Sequence, residues 1–148
     1  MAVKTINAGE QIAFQTGAPL NQTSVDLTAQ TAAITTTTLF AVVTAGQYLL
    51  NWDSKVMTAA GTSSTLGPLT IVYTDPDSVV QTITAAAQIA AGTIATSVAN
   101  GSTTTGLLLG IPMFLNCKAS TNVTYAFAYA SNPANAMTYN LHIKLTGF

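Results

Sequence analysis

Few side chains in this sequence have the chemistry that polar catalysis needs. His142 is the single histidine and Cys117 the single cysteine among the 148 residues. Catalysis near neutral pH draws mainly on histidine, cysteine, lysine or paired carboxylates. A Ser-His-Asp triad that includes His142 is compatible with the sequence, because triad members meet in space. No serine, however, has the sequence surroundings of a nucleophile elbow, so we expect His142 to lie at the surface or in an interface.

The single cysteine is followed directly by a cation, Lys118. A neighbouring cation can lower the pKa of a thiol and so make it reactive. Without a second cysteine, however, the chain can form neither an internal disulfide nor a cysteine-based zinc site. We therefore expect Cys117 to be an inert thiol that is buried or half-buried.

The acidic residues give no clear sign of a site. Asp75 and Asp77 flank a proline, and two carboxylates on one loop could contribute to a Ca²⁺ site, which needs about six to eight oxygens. Aspartate and proline are also preferred turn residues, and we expect a turn here. Glu10, Asp26 and Asp53 are too dispersed in the sequence to indicate an acidic pair. The sequence thus predicts no catalytic residue, no metal ligand and no cofactor, and we expect a protein that is not an enzyme.

Charge is unusually scarce. Only 6% of the residues are charged, against about 25% in typical globular domains. The cations are Lys4, Lys55, Lys118 and Lys144, and the net charge is -1. Four scattered lysines cannot neutralise a row of phosphates, which excludes nucleic acid as a partner. Weak repulsion between copies favours association, so we expect a homo-oligomer.

A hydrophobic fraction of 49% raises the question of a membrane protein. A spanning helix needs about 20 consecutive apolar residues, and the apolar segment 107–115 is interrupted by Gly110 and Pro112. Residues 1–14 lack an apolar run of the length found in signal peptides. We expect no membrane partner, and synthesis in the cytoplasm without a signal peptide.

Alternation of large apolar and polar residues predicts strands. In residues 137–145 every odd position is large and apolar and every even position is polar, which is the pattern of a half-buried strand. Residues 123–129 alternate in the same way, with the small residues Thr124, Ala126 and Ala128 on the second face. Residues 131–135 have the composition of a turn. We expect the two segments to form an antiparallel pair.

Further strands are expected over the segments 35–44, 47–57, 68–74, 79–84 and 107–116. Seven or eight strands at a spacing of about 8–12 residues predict an all-β, antiparallel β-sandwich, as a jelly roll or a related Greek key. Residues 85–99 are compatible with strand, loop or helix. We expect residues 1–30 to form an N-terminal arm or edge strand, and residues 31–148 to form the β-sandwich domain.

Two stretches also carry a resemblance to a known group of proteins. Ala-Gly-Gln-Tyr-Leu-Leu-Asn-Trp at 45–52 is similar to the start of a core strand in compact jelly rolls. Asn-Cys-Lys-Ala-Ser-Thr-Asn-Val-Thr-Tyr at 116–125, with Ala128, Tyr129 and the alternating segment 137–145, resembles small jelly-roll structural proteins of tailed bacteriophages, of head-decoration, fibre or tail-associated type. Such proteins commonly act as trimers, so the resemblance implies that the expected homo-oligomer is a trimer. The resemblance covers residues 46–145 and identifies no functional residue.

The resemblance implies a virion structural protein, and a capsid decoration or head-associated protein is the expected form. Its partners would then be the major capsid protein or other virion proteins, and its location the virion. A receptor- or carbohydrate-binding tip of a phage tail or fibre is the alternative. A cellular adhesin, pilus-like subunit or lectin is the third class that this sequence allows.

Overall fold

The computed structural model describes residues 22–89, 94–95, 98–100 and 106–148. All regular elements of these residues are strands, and the described residues contain no helix that could cross a membrane. The strands are β1 (Gln22–Gln30), β2 (Ile34–Val42), β3 (Gly46–Thr58), β4 (Ser63–Thr74), β5 (Val80–Ala85), β6 (Ala87–Ile89), β7 (Ile94–Ala95), β8 (Val98–Asn100), β9 (Leu107–Gly110), β10 (Met113–Cys117), β11 (Thr121–Asn132) and β12 (Thr138–Gly147).

The strands form two antiparallel sheets. The seven-stranded sheet has the order β1-β12-β3-β9-β6-β7, with β10 also paired to β3. The five-stranded sheet has the order β2-β11-β4-β5, with β8 also paired to β4. The first four strands alternate between the two sheets along the chain. Each sheet has a main run of four strands, β1-β12-β3-β9 in one and β2-β11-β4-β5 in the other, and the two runs face each other. This is the arrangement of a jelly roll, and the expected antiparallel β-sandwich is confirmed.

The described residues form twelve strand segments where the sequence led us to expect seven or eight. The segment 107–116 accounts for part of the difference, because it divides into β9 and β10 around Ile111 and Pro112, and both pieces pair with β3. Proline lacks the N–H that a ladder needs, so the strand breaks there. Within 85–99, the described residues add the short strands β6, β7 and β8 and no helix.

The core lies between the two sheets. Along β12 the alternating residues Tyr139, Leu141, Ile143 and Leu145 are at most 1% exposed, as predicted. Burial of each such side chain stabilises the fold by about 1.5–3 kcal/mol. The aromatic ring of Phe127, on β11, contacts the rings of two residues on the opposite sheet, with centroid distances of 6.2 Å to Trp52 and 5.5 Å to Tyr139.

The expected pairing of residues 123–129 with residues 137–145 is wrong. β11 pairs with β2 and β4, whereas β12 pairs with β1 and β3, so the two strands lie in opposite sheets. Each strand carries its large residues on one face. Facing one another across the core, the strands bury both apolar faces against each other, and the turn between them carries the chain from one sheet to the other.

The N-terminal segment 1–30 is described in part. Residues 22–30 form β1, which lies at the edge of the seven-stranded sheet and pairs with β12 from Gln22 opposite Thr146 to Leu27 opposite Leu141. Residues 1–21 lie outside the described residues. β1 is therefore a strand of the sandwich.

Candidate functional site

Polar side chains form two rows across the outer face of the seven-stranded sheet. The strand register places His142 opposite Asp26 of β1 on one side and opposite Asp53 of β3 on the other. In the next outward row, Lys144 lies opposite Ser24 and Asn51 in the same way. These side chains face outwards because their chain neighbours Trp52 and Ile143 are buried in the core.

A hydrogen bond links the histidine to one of its two acidic neighbours. His142 Nδ1 lies 2.9 Å from Asp26 Oδ1, and the two side chains are 39% and 68% exposed. The expected surface position of His142 is confirmed. Asp26 and Asp53 are 27 positions apart in the sequence, which does not indicate that they flank the same residue; β12 lies between their strands and places His142 opposite both of them.

The histidine and Asp26 are two members of a possible triad, and Ser24 lies on the same face. The hydrogen bonds among the described residues include none between the Ser24 hydroxyl and His142, so the contact between nucleophile and base is not formed. The described residues also contain no group of three His, Cys, Asp or Glu side chains close enough to hold a metal ion.

A depression of about 490 Å³ lies over the two polar rows. Its polar lining comes from both rows, and Leu109 of β9, which is 48% exposed, supplies an apolar side. We call it the sheet depression, and its outward-facing lining residues are Ser24, Asp26, Asn51, Asp53, Leu109, His142 and Lys144. Within the described residues it combines hydrogen-bond donors, acceptors and apolar surface on three neighbouring strands and β9.

Aromatic side chains lie at one end of the same face. Phe114 pairs in register with Leu49 of β3, which is itself opposite Thr146. Phe148 follows β12, and its backbone N–H donates to the carbonyl of Gln47. The rings of Phe114 and Phe148 are 64% and 67% exposed with centroids 6.2 Å apart. We call these two residues the aromatic patch.

The outer face of the five-stranded sheet has a different character. None of its strands contains a charged residue or a histidine. Small uncharged side chains lie opposite one another on β11, β4 and the edge strand β5. We call this surface the charge-free face, and its residues on these three strands include Thr70, Val72, Thr82, Thr84, Thr124 and Ala126.

Cys117 is buried at the end of β10, as expected. Burial raises the pKa of its thiol to about 11, so the reactive thiolate is scarce near neutral pH. The neighbouring Lys118 ammonium donates to the Ser78 hydroxyl at 2.7 Å. The geometry gives this cysteine a packing role.

Asp75 closes the turn between β4 and β5. One of its carboxylate oxygens accepts from the Val79 backbone N–H at 2.9 Å and the other from the Gln81 side-chain amide at 2.7 Å. The hydrogen bond from Gln81 and then the one from Val79 lower the pKa of this carboxyl. Both oxygens are thus used within the turn, which is the role that the sequence predicted.

Comparisons with known proteins add little to this description. No family model matches the chain, and no curated protein matches it. A chain from the structure of infectious bursal disease virus, Gx strain, is 12% identical with a TM-score of 0.46. The alignment covers 98% of this chain, which spans 36% of the length of that one.

A chain from Bacillus endospore appendages, described as a novel family of disulfide-linked pili, is 13% identical with a TM-score of 0.32. The alignment covers 85% of this chain and 82% of the other. Because both TM-scores are below 0.5, neither similarity bears on what this chain does.

Proposed function

We propose that this protein is a structural subunit of a virion, and more specifically a capsid decoration or head-associated protein of a tailed bacteriophage that acts as a homotrimer. The observation that carries the proposal is the charge-free face of the five-stranded sheet. The resemblance of the sequence to small phage jelly rolls supplies the type of particle. The major capsid protein is the proposed partner, and the virion is the proposed location.

A surface without charges can be buried in a protein interface with little loss of solvation free energy. Burying an unpaired ion costs several kcal/mol, and the cores of protein interfaces are depleted of charged residues. Four strands about 4.8 Å apart, each about eight residues long at about 3.3 Å per residue, present roughly 500 Å² of projected area. A standard interface buries about 800 Å² of accessible surface per partner, so the charge-free face is large enough to supply most of one contact.

The aromatic patch offers a second uncharged contact on the opposite sheet. Exposed phenylalanines are enriched in the cores of interfaces, and Phe114 and Phe148 expose about two thirds of their side chains. We propose that the charge-free face contacts sister copies and that the aromatic patch contacts the particle. Each surface can then be tested separately.

The first experiment introduces a charge into the charge-free face. Thr84 is exposed and lies opposite Thr70 on this face. We expect wild-type protein to give the mass of a trimer by native mass spectrometry, and Thr84→Lys to give the monomer. Gln47→Lys, at an exposed position of the other sheet, is the matched control and should remain a trimer. A wild-type monomer, or equal behaviour of both variants, would contradict the proposed assembly.

The second experiment measures attachment to a particle. Capsids are assembled from the major capsid protein encoded in the same genome, and bound protein is measured by co-sedimentation. We expect wild-type protein to sediment with these capsids, and Phe114→Ser to lose binding while keeping its oligomer mass. Val79→Ser, which alters another exposed apolar residue, is the control. Failure of the wild-type protein to bind any capsid would refute the decoration role.

A further inference from the structure

We propose that the sheet depression on the outer face of the seven-stranded sheet binds a neutral saccharide. This activity goes beyond a structural role and does not depend on it. The argument rests on the type, spacing and charge of the side chains that line the depression.

The two polar rows offer both donors and acceptors. The carboxylates of Asp26 and Asp53 accept hydrogen bonds, whereas the Lys144 ammonium donates them. The Asn51 amide and the Ser24 hydroxyl can do both. A sugar hydroxyl is itself donor and acceptor, so a ring that carries several hydroxyls can satisfy such a mixed set, whereas a ligand that only donates or only accepts cannot.

The spacing of the rows suits a single sugar ring. Side chains directly opposite on neighbouring strands have Cβ atoms about 4.5–5.5 Å apart, and successive outward residues of one strand lie about 7 Å apart. This grid has the dimensions of a hexose with its hydroxyls. The volume of about 490 Å³ lies within the usual range for small-molecule sites, and Leu109 offers an apolar contact for the C–H groups of a ring.

The charges around the depression disfavour ionic ligands. Asp26 and Asp53 stand on both sides of His142 and repel phosphate or carboxylate groups. Lys144, which lines the depression, and Lys55, farther along the same outer face, repel a bare cation, and the described residues contain no group of three His, Cys, Asp or Glu side chains that could hold a metal ion. The lining thus contains charges of both signs, which favours an uncharged ligand rich in hydroxyls.

The lining is held in place before a ligand arrives. Six of its seven outward-facing residues belong to β1, β3 and β12, whose buried neighbours fix the register. The hydrogen bond between His142 and Asp26 orients both side chains. A preorganised site loses less conformational entropy on binding, which favours affinity.

The test is a titration of ¹⁵N-labelled full-length protein, followed by NMR, with the methyl glycosides of glucose, galactose, mannose and N-acetylglucosamine. At least one glycoside should shift amide signals of the depression, with a Kd on the order of 1 mM. Asp53→Asn keeps the shape but removes a charged acceptor and should weaken binding about tenfold or more. Asp77→Asn makes the same change in an exposed turn and should leave binding unchanged.

Three outcomes would overturn the proposal. The first is that no glycoside shifts these signals, and the second is that Asp53→Asn binds as well as wild-type protein. The third is that inorganic phosphate gives the same shifts at the same concentration, which would indicate an anion site. Oligomer mass and capsid binding of Asp53→Asn are measured in parallel and should not change, so failure of the saccharide site is distinguishable from failure of the structural role.

Discussion

Replacing Gly110 with alanine tests a close packing contact between β9 and β3. A Cβ added at Gly110 would overlap three atoms of Trp52, namely Cδ1 and Nε1 of the indole and the backbone oxygen. Rotation of the indole could relieve the first two overlaps, but the backbone oxygen belongs to β3 and can separate only if β9 moves away from β3. Overpacking of this kind costs about 1–3 kcal/mol, and we expect Gly110→Ala to destabilise the protein by that amount.

Trp52 provides the assay, because it is the single tryptophan of the chain and is almost fully buried. Urea unfolding followed by its fluorescence gives the free energy of unfolding for each variant. Gly61→Ala is the matched control, since a Cβ there would lie 3.8 Å from Cδ of Pro133, an ordinary contact. If Gly110→Ala unfolds at the same urea concentration as Gly61→Ala, the contact between β9 and Trp52 is not as close as described.

Three further predictions concern the core and the surface. Leu141→Ala empties a fully buried position of β12 and should cost about 2–5 kcal/mol; a loss below about 1 kcal/mol in urea unfolding would make this strand peripheral. Burial raises the pKa of the Cys117 thiol to about 11 and of the Tyr139 hydroxyl to about 12, above their ordinary values of 9.0 and 10.0. The unfolded chain therefore loses these protons at a lower pH than the folded chain, so the free energy of unfolding should have its full value below pH 9 and decrease as the pH rises through 11 to 12. Urea unfolding of wild-type protein and Cys117→Ala across this range checks this, and a pH dependence of the variant equal to that of wild-type protein would contradict it. His142→Ala should keep the fold and the oligomer mass, because the imidazole lies at the surface, and native mass spectrometry measures this.

Local patterns were sufficient to predict the long strands β3, β11 and β12 and their inward faces. In β12 each large side chain that the alternation assigned to the core is buried. β3 behaves in the same way, with Tyr48, Leu50, Trp52 and Val56 inside. The reason is physical: a one-residue shift of such a strand would expose every one of its large side chains, so the pattern leaves a single register relative to the core.

The choice of partner strands could not be predicted in this way. The turn composition between β11 and β12 favours a reversal of the chain, but a reversal within one sheet and a crossing between two sheets have the same local signals. The choice depends on where β2, β3 and β4 lie, since these strands occupy the edges that β11 and β12 would otherwise share. That information is distributed over the whole chain.

The sheet depression was missed for the same reason. Asp26 and His142 are 116 positions apart in the sequence, and nothing near either residue indicates the other. Alternation does place Asp53 and His142 on the outward faces of their strands, which is the one available signal. Their meeting follows from the pairing of β12 with both β1 and β3.

The scarcity of charge has a different meaning once the strands are placed. The sequence shows only that 6% of the residues are charged, and this fraction does not distinguish one surface of the protein from another. In the structure, the strands of the five-stranded sheet have no charge, whereas Asp26, Asp53, Lys55 and Lys144 all lie on the other sheet. Contact between copies through the charge-free face would leave these four residues in water. Contact between copies through the centre of the opposite face would desolvate them, so the distribution of charge disfavours that arrangement and favours contact through the charge-free face.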